Sequence, residues 1–387
     1  MPDIDRSRAA QPPPRSEGVF ASTITLGRVA GIEIGINWTW LGIFALIVWS
    51  LAGVEFPADA PGRSWPVYVA MGLFATAAFF ASLILHELGH ALQARREGVQ
   101  TEGITLWLFG GVAKIVGEFP SAGAEFRIAI AGPLVTLAIG VVALLATAAW
   151  PHPGAVRSVL AWLCYINVAL LVFNLVPALP LDGGRVLRAA LWARTRDLAT
   201  ATHRAARVSS ILATVLIALG ILETLQGAFG GLWLALIGWF VLEAGRTEDR
   251  HIAARGALAG ATVGMLMTRN PITVDPRQSL ADVAEEVQGT ARHTAYPVVA
   301  GEALIGLLPL HTLATTPHAQ WGLHTVAETM IPAEDVPELT PDTPAADAID
   351  LLADRSAGRG VVLDRGRLVG ILSLSDIARA LAIGQPV

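Results

Sequence analysis

The chain has 387 residues, of which 53% are hydrophobic and 15% charged, with a mean hydropathy of +0.55 and a formal net charge of −5. A soluble domain is nearer a quarter charged, so this composition excludes an ordinary soluble enzyme and describes a membrane protein. The small net charge gives no electrostatic basis for nucleic-acid binding, and the single cysteine, Cys164, excludes an internal disulfide.

Residues 1–23 are polar and Pro-rich and lack the apolar core of a signal peptide, which predicts a disordered cytoplasmic tail. Residues 24–246 are expected to form a transmembrane core of about six helices. Ile24–Ile36 alternates weakly, as a short strand or an interfacial segment does. A first span covers Trp38–Val54, with tryptophans as interface anchors, and a polar loop follows from Glu55 to Arg63. The second span, Pro66–Leu85, is twenty residues without a charge, enough to cross a bilayer core. Thr101–Pro120 is too short to span and is broken at Gly110-Gly111, so it predicts a hairpin or re-entrant element, or else a plain surface hairpin.

The third span, Ile128–Trp150, contains Ala131-Gly132-Pro133, small residues suited to close helix packing. The fourth, Val156–Val176, carries Asn167 and Asn174 and stops at Pro177-Ala178-Leu179-Pro180-Leu181-Asp182-Gly183-Gly184-Arg185. Fifth and sixth spans are expected at Val208–Leu225 and Leu232–Ala244. Arginines gather before the first span, after the second at Arg95 and Arg96, after the fourth at Arg185, Arg188, Arg194 and Arg196, and after the sixth. The positive-inside rule then places the protein in the cell membrane with both termini cytoplasmic.

Residues 247–261 read as a linker. Residues 262–387 have the composition of a soluble α/β domain with an internal repeat, about 262–318 and 323–383. A repeat of about sixty residues with a β-α-β-β-α rhythm is a regulatory-module pattern.

His86-Glu87-Leu88-Gly89-His90 closes the second span. On a helix, His86 and His90 share one face, with Glu87 one position on. Two imidazoles so spaced can hold one tetrahedral zinc, leaving room for a third ligand and a water. Glu87 is then placed to take a proton from that water. Ionisable groups at the end of a membrane helix are costly unless paired, metal-bound or wetted. Asp182 is the best candidate for the third ligand, since it follows the proline break at the same membrane depth as the histidines. Its bland alternative is a helix N-cap. Asn174 could donate a hydrogen bond to substrate, or equally bond another helix.

The His86–His90 motif, Phe109-Gly110-Gly111, Ala131-Gly132-Pro133 and the segment Asn174–Arg185, in this order, resemble the site-2 protease family of intramembrane metalloproteases over about residues 30–195. The resemblance implies zinc on His86, His90 and Asp182, Glu87 as general base, and Asn174 at the substrate or transition state. It also implies that Gly110-Gly111 pairs with an unwound substrate strand. The tail resembles a pair of cystathionine-β-synthase (CBS) domains. In that family a Gly-x-x-Ser-x-x-Asp motif contacts ribose, and Gly370–Asp376 fits it through Ser373 and Asp376, whereas Gly306–Thr312 lacks both residues. At most one good site for ATP or another adenine nucleotide is implied, with a structural or dimerising pair as the alternative.

The expected activity is cleavage of a transmembrane segment of a single-pass membrane protein, such as an anti-sigma factor or a signal-peptide remnant, within a lipid bilayer. A homodimer through the CBS domains is a further expectation. The competing reading is a CBS-gated transporter or channel with a metal site.

Overall fold

The computed structural model describes residues 23–107, 110–116, 119–228, 230–287, 295–301, 303–354 and 358–383. The expected N-terminal tail (apart from residue 23) and Phe109 lie outside them. Contacts divide the chain into two compact units between Ile252 and Ala253.

The first unit opens with β1 (Thr23–Val29) and β2 (Ile32–Asn37), then α1 (Thr39–Ser50). A π-helical turn, Leu51–Glu55, carries α1 into α2 (Phe56–Asp59). The expected loop from Glu55 therefore starts later. Phe56 is fully buried against Leu51, Ala52, Tyr68 and Met71, and burying one large aromatic outweighs the polarity of Glu55.

Next come α3 (Trp65–Arg96), β3 (Gln100–Trp107), β4 (Gly110–Val116), α4 (Ala122–Ala149), α5 (Ala155–Asn174), α6 (Asp182–Thr195), α7 (Leu198–Leu225) and α8 (Gly230–Ala257). Pro66 sits in the first turn of α3, where its missing N–H costs nothing. Arg95 and Arg96 close the helix on its negative end, and Gly98, at φ +81°, turns the chain out of it. Ser121 caps α4, accepting the N–H of Ala124 at 3.2 Å, and Asp197 caps α7, accepting that of Thr200 at 2.8 Å.

Five described stretches are helical, long and apolar enough to cross a membrane: Thr39–Asp59, Trp65–Arg96, Ala122–Ala149, Ala155–Asn174 and Leu198–Leu225. The sixth expected span falls inside α8. That helix forms, but its apolar part, diluted by Trp233 and Trp239, runs into Glu243, Arg246 and Glu248. Large apolar residues such as Phe74, Leu145, Val172 and Ile211 point outward from the bundle, as a lipid solvent allows.

The four strands pair in the order β1-β2-β3-β4, with β2 and β3 parallel and the other pairs antiparallel. Ile32 of β2 and Ile104 of β3 pack on Leu88 and Ala91, which lay the sheet against the histidine turn of α3. β4 is an edge strand, paired among the described strands with β3 alone.

The second unit contains α9 (Val263–Leu266), β5 (Thr268–Arg269), α10 (Leu280–Val287), β6 (Ala295–Ala300), β7 (Ala303–Pro309) and α11 (His311–Thr315). Its second half repeats the order with α12 (Val326–Thr329), β8 (Ile331–Pro332), β9 (Glu338–Leu339), α13 (Ala345–Asp354), β10 (Arg359–Asp364), β11 (Arg367–Ser373) and α14 (Leu374–Ile383). The halves exchange edge strands. β5 joins the sheet β5-β11-β10-β9, while β8 completes β6-β7-β8. Ala295 and Leu307 of one half share a core with Val336, Val361 and Ile371 of the other, so neither half closes its core alone.

Candidate metal centre

His86 and His90 are both buried, with Nε2 atoms 3.1 Å apart. Each ring is held from behind by α4. Nδ1 of His86 lies 2.8 Å from the hydroxyl oxygen of Thr136, and Nδ1 of His90 lies 2.7 Å from the carbonyl oxygen of Ile128. A carbonyl only accepts, so Nδ1 of His90 carries the hydrogen, and in the neutral ring Nε2 presents its lone pair. That is the tautomer a metal ligand needs.

Asp182 meets the two rings from α6. Its Oδ2 is 3.2 Å from Nε2 of His86 and its Oδ1 is 3.2 Å from Nε2 of His90. The residue is the first of its helix; the N-cap is Leu181. The capping alternative is therefore not what the structure adopts. Oδ2 is buried and, despite its nearness to His86, is not in hydrogen-bonding geometry. A buried carboxylate oxygen left without a hydrogen bond is costly and points to a missing positive partner.

Gly183 and Gly184 make this approach possible. A β-carbon on Gly183 would lie 2.3 Å from the carbonyl oxygen of Leu175, and one on Gly184 would lie 2.4 Å from the backbone nitrogen of Leu179. Only glycine lets the first turn of α6 press onto the 175–179 turn. Gly132 plays the matching role on α4, since its β-carbon would fall 2.2 Å from Nε2 of His90 and 2.8 Å from Cε1 of His86. The sequence marks Gly132 as a close-packing residue; that the packing partner is the imidazole pair emerges from the fold.

His86, His90 and Asp182 are the described cluster whose ligand-type atoms converge, all within 4.8 Å of one another. Tetrahedral donors about 2.0–2.1 Å from a shared metal stand about 3.3 Å apart, close to the separations of 3.1 and 3.2 Å found here. Glu87 is half-buried on the same turn, and its ionisable neighbours are His90, His86, Asp182 and Arg185. Asn174 ends α5, half-buried, and is not among the hydrogen-bond partners of the cluster. Gly110 and Gly111 open β4, opposite Trp107 and Leu106. Ser373 and Asp376 lie in the second unit and cap α14 together: Oδ2 of Asp376 accepts from the Ser373 backbone N–H at 3.1 Å and from its hydroxyl at 2.5 Å.

Two features had no distinct signal in the sequence. One is the pair of α4 groups, Thr136 and Ile128, that orient the rings. The other is a buried ion triad. Arg188, 3% exposed, contacts Glu125, fully buried on α4, at 2.6 Å and Glu248 on α8 at 2.5 Å.

A bundle of apolar helices that brings two buried imidazoles and a half-buried carboxylate to one point, with a glutamate beside them, has the layout of a metal-dependent membrane hydrolase. The sequence profile of peptidase family M50 matches residues 74–152 and 148–219, and that of the CBS domain matches residues 263–316 and 326–383. Rip3 of Mycobacterium tuberculosis is 39% identical over 366 residues, 93% of each chain. The zinc metalloprotease MJ0392 of Methanocaldococcus jannaschii is 30% identical over 361 residues, 93% of this chain and 96% of that one. The solved site-2 protease from Methanocaldococcus jannaschii is 31% identical, covers 59% of this chain and 95% of its own, and gives a TM-score of 0.41. The chain belongs to peptidase family M50, the site-2 proteases, and is a multi-pass membrane metalloprotease with a C-terminal CBS pair. The transporter reading falls with that membership.

Proposed function

We propose that the protein is an intramembrane zinc endopeptidase that cuts a transmembrane segment of a single-pass membrane protein. His86, His90 and Asp182 hold the zinc, and Glu87 is the general base. The observation that carries this reading is the convergence of the two Nε2 atoms on the Asp182 carboxylate, whose Oδ2 is buried and outside any hydrogen bond. Two neutral imidazoles and a carboxylate form a donor set suited to zinc. Bound there, zinc supplies a Lewis acid that acidifies water and polarises a peptide carbonyl.

The chain's own residues do the rest. Thr136 and Ile128 hold the rings so that both Nε2 atoms face the site, and the Ile128 carbonyl leaves the lone pair of His90 on Nε2. The Glu87 carboxylate accepts a proton from the attacking water and returns it to the departing amide nitrogen. Asn174, from the end of α5, hydrogen-bonds the substrate backbone or the developing oxyanion. A helical substrate hides its amides in internal hydrogen bonds and must unwind before attack. The edge of β4 at Gly110 and Gly111, whose one partner among the described strands is β3, offers backbone partners to the unwound strand.

The arginine distribution supports a cell-membrane protein with both termini cytoplasmic and the metal site near that face. The CBS pair, residues 262–387, is proposed to sense ATP or a related adenine nucleotide through Ser373 and Asp376, and to offer a surface for homodimerisation. An anti-sigma factor or a signal-peptide remnant has the form of substrate this site would take. A Glu87→Gln variant carrying a photo-crosslinker at position 111, followed by mass spectrometry of the captured proteins, tests the reading. Single-pass membrane proteins cut within the span by the unmodified enzyme are the expected capture; capture of none that the enzyme cleaves would oppose it.

A further inference from the structure

We propose that the buried Glu125–Arg188 pair, backed by Glu248, positions the metal site by tying the helix that orients both imidazoles to the helix that carries Asp182. The proposal rests on the zinc reading above.

The two halves of the site come from different helices. α4 supplies the Ile128 carbonyl and the Thr136 hydroxyl that fix the rings, and α6 supplies the carboxylate. Glu125 precedes Ile128 by one turn on α4. Arg188 follows Asp182 by under two turns on α6. Nε and Nη2 of Arg188 both reach Oε1 of Glu125 at 2.6 Å, and Nη1 reaches Oε1 of Glu248 at 2.5 Å. The glycine contacts pin only the start of α6. Further along, Leu187 and Leu191 pack on Leu179, Ala205 and Ala206; such apolar contacts are non-directional, and the guanidinium adds an anchor with a defined direction.

Arg188 is 3% exposed and Glu125 is fully buried. Buried ion pairs are poor sources of net stability, because desolvation offsets the attraction. What such a pair supplies is a defined arrangement, since a guanidinium donates its N–H groups in its own plane. Here the arrangement fixed is that of α4 against α6, which sets where the Asp182 carboxylate meets the two Nε2 atoms. Arg188 and Glu125 are thus positioning residues, not catalytic ones.

The test uses the full-length protein in detergent micelles. Arg188→Met leaves Glu125 as a buried lone charge and risks misfolding, so it is paired with a double variant, Glu125→Leu with Arg188→Met, that removes both charges and stays apolar. Three quantities are read: zinc affinity by chelator competition, the visible spectrum of the cobalt(II)-loaded protein, and thermal unfolding of the metal-free protein. Loss of an outer partner to metal ligands typically lowers affinity about 10–100-fold. The proposal expects a loss of about tenfold or more in the double variant, with an altered cobalt spectrum and an unfolding temperature near that of the parent. Partial recovery in Arg188→Lys, which keeps one charge contact, is expected too. Parental affinity and spectrum in the double variant would overturn the proposal, and so would a double variant that fails to fold, which would make the pair a folding element. His86→Ala is measured alongside. If it also keeps zinc, the metal site itself is misassigned; if it loses zinc while the double variant keeps it, only the positioning role fails.

Discussion

A β-carbon on Gly132 would lie 2.2 Å from Nε2 of His90. The glycine is thus part of the wall that places the imidazole, and the close crossing of α3 and α4 belongs to the proposed metal site. Gly132→Ala should push both rings off the shared point. Overpacking of this kind costs about 1–3 kcal/mol, and the displacement should appear as lost zinc in the purified protein. Gly89→Ala, whose β-carbon would meet Val135 at 3.0 Å and the Ala131 carbonyl at 3.1 Å, should lose less. Metal analysis of the two variants side by side checks this, and equal zinc in Gly132→Ala and the parent would contradict it.

Thr136 makes a more delicate contribution. Its hydroxyl sits 2.8 Å from Nδ1 of His86 and orients that ring without itself being one of the proposed ligands. Thr136→Val keeps the shape and removes the oxygen. Zinc affinity should fall about 10–100-fold with little change in thermal stability. Chelator competition measures the first and a melting curve the second.

The parts of this site that sequence reveals are those set by local spacing. His86 and His90 share a helix face by their separation of four, and Glu87 follows from the same count. Asp182 is legible because two prolines break a span in front of it and two glycines follow. The parts that stay hidden depend on which residues of distant helices cross. Nothing local says that Gly132 and Thr136 of α4 meet the two histidines, since a small residue or a threonine in an apolar span has many ordinary uses. Arg188 reads as one more cytoplasmic arginine, yet it is buried between Glu125 and Glu248. The extension of the first span to Asp59 also escapes a polarity reading, because it depends on the tertiary burial of Phe56.

The edge strand gives a third prediction. β4 begins at Gly110 and Gly111 and has one described neighbour, β3. If substrate adds to that edge, Gly111→Val should obstruct close backbone approach and slow cleavage while zinc content holds. Unchanged cleavage of a reconstituted membrane substrate would reduce the hairpin to a surface element.

In the second unit, Ser373 and Asp376 form a reciprocal cap on α14, with the Asp376 N–H donating back to the Ser373 hydroxyl at 3.2 Å. Asp376→Ala should therefore do two things. Loss of a capping residue typically costs about 1 kcal/mol of stability. Loss of a charged acceptor for ribose hydroxyls should also weaken adenine-nucleotide binding about tenfold or more. Calorimetric titration of the full chain with ATP, ADP and AMP separates the two effects. Reduced stability with unchanged nucleotide affinity, or with none in the parent, would leave Asp376 as a cap alone.

Glu87 is the proposed base beside a zinc held by His86, His90 and Asp182. Glu87→Gln keeps the size of the side chain and removes its ability to take a proton. The decisive measurement is cleavage of a reconstituted single-pass substrate by this variant, made on the same preparation whose zinc is quantified. Cleavage should fall by about 10²–10⁴-fold while one zinc per chain remains. Parental cleavage by a zinc-loaded Glu87→Gln protein would contradict the account.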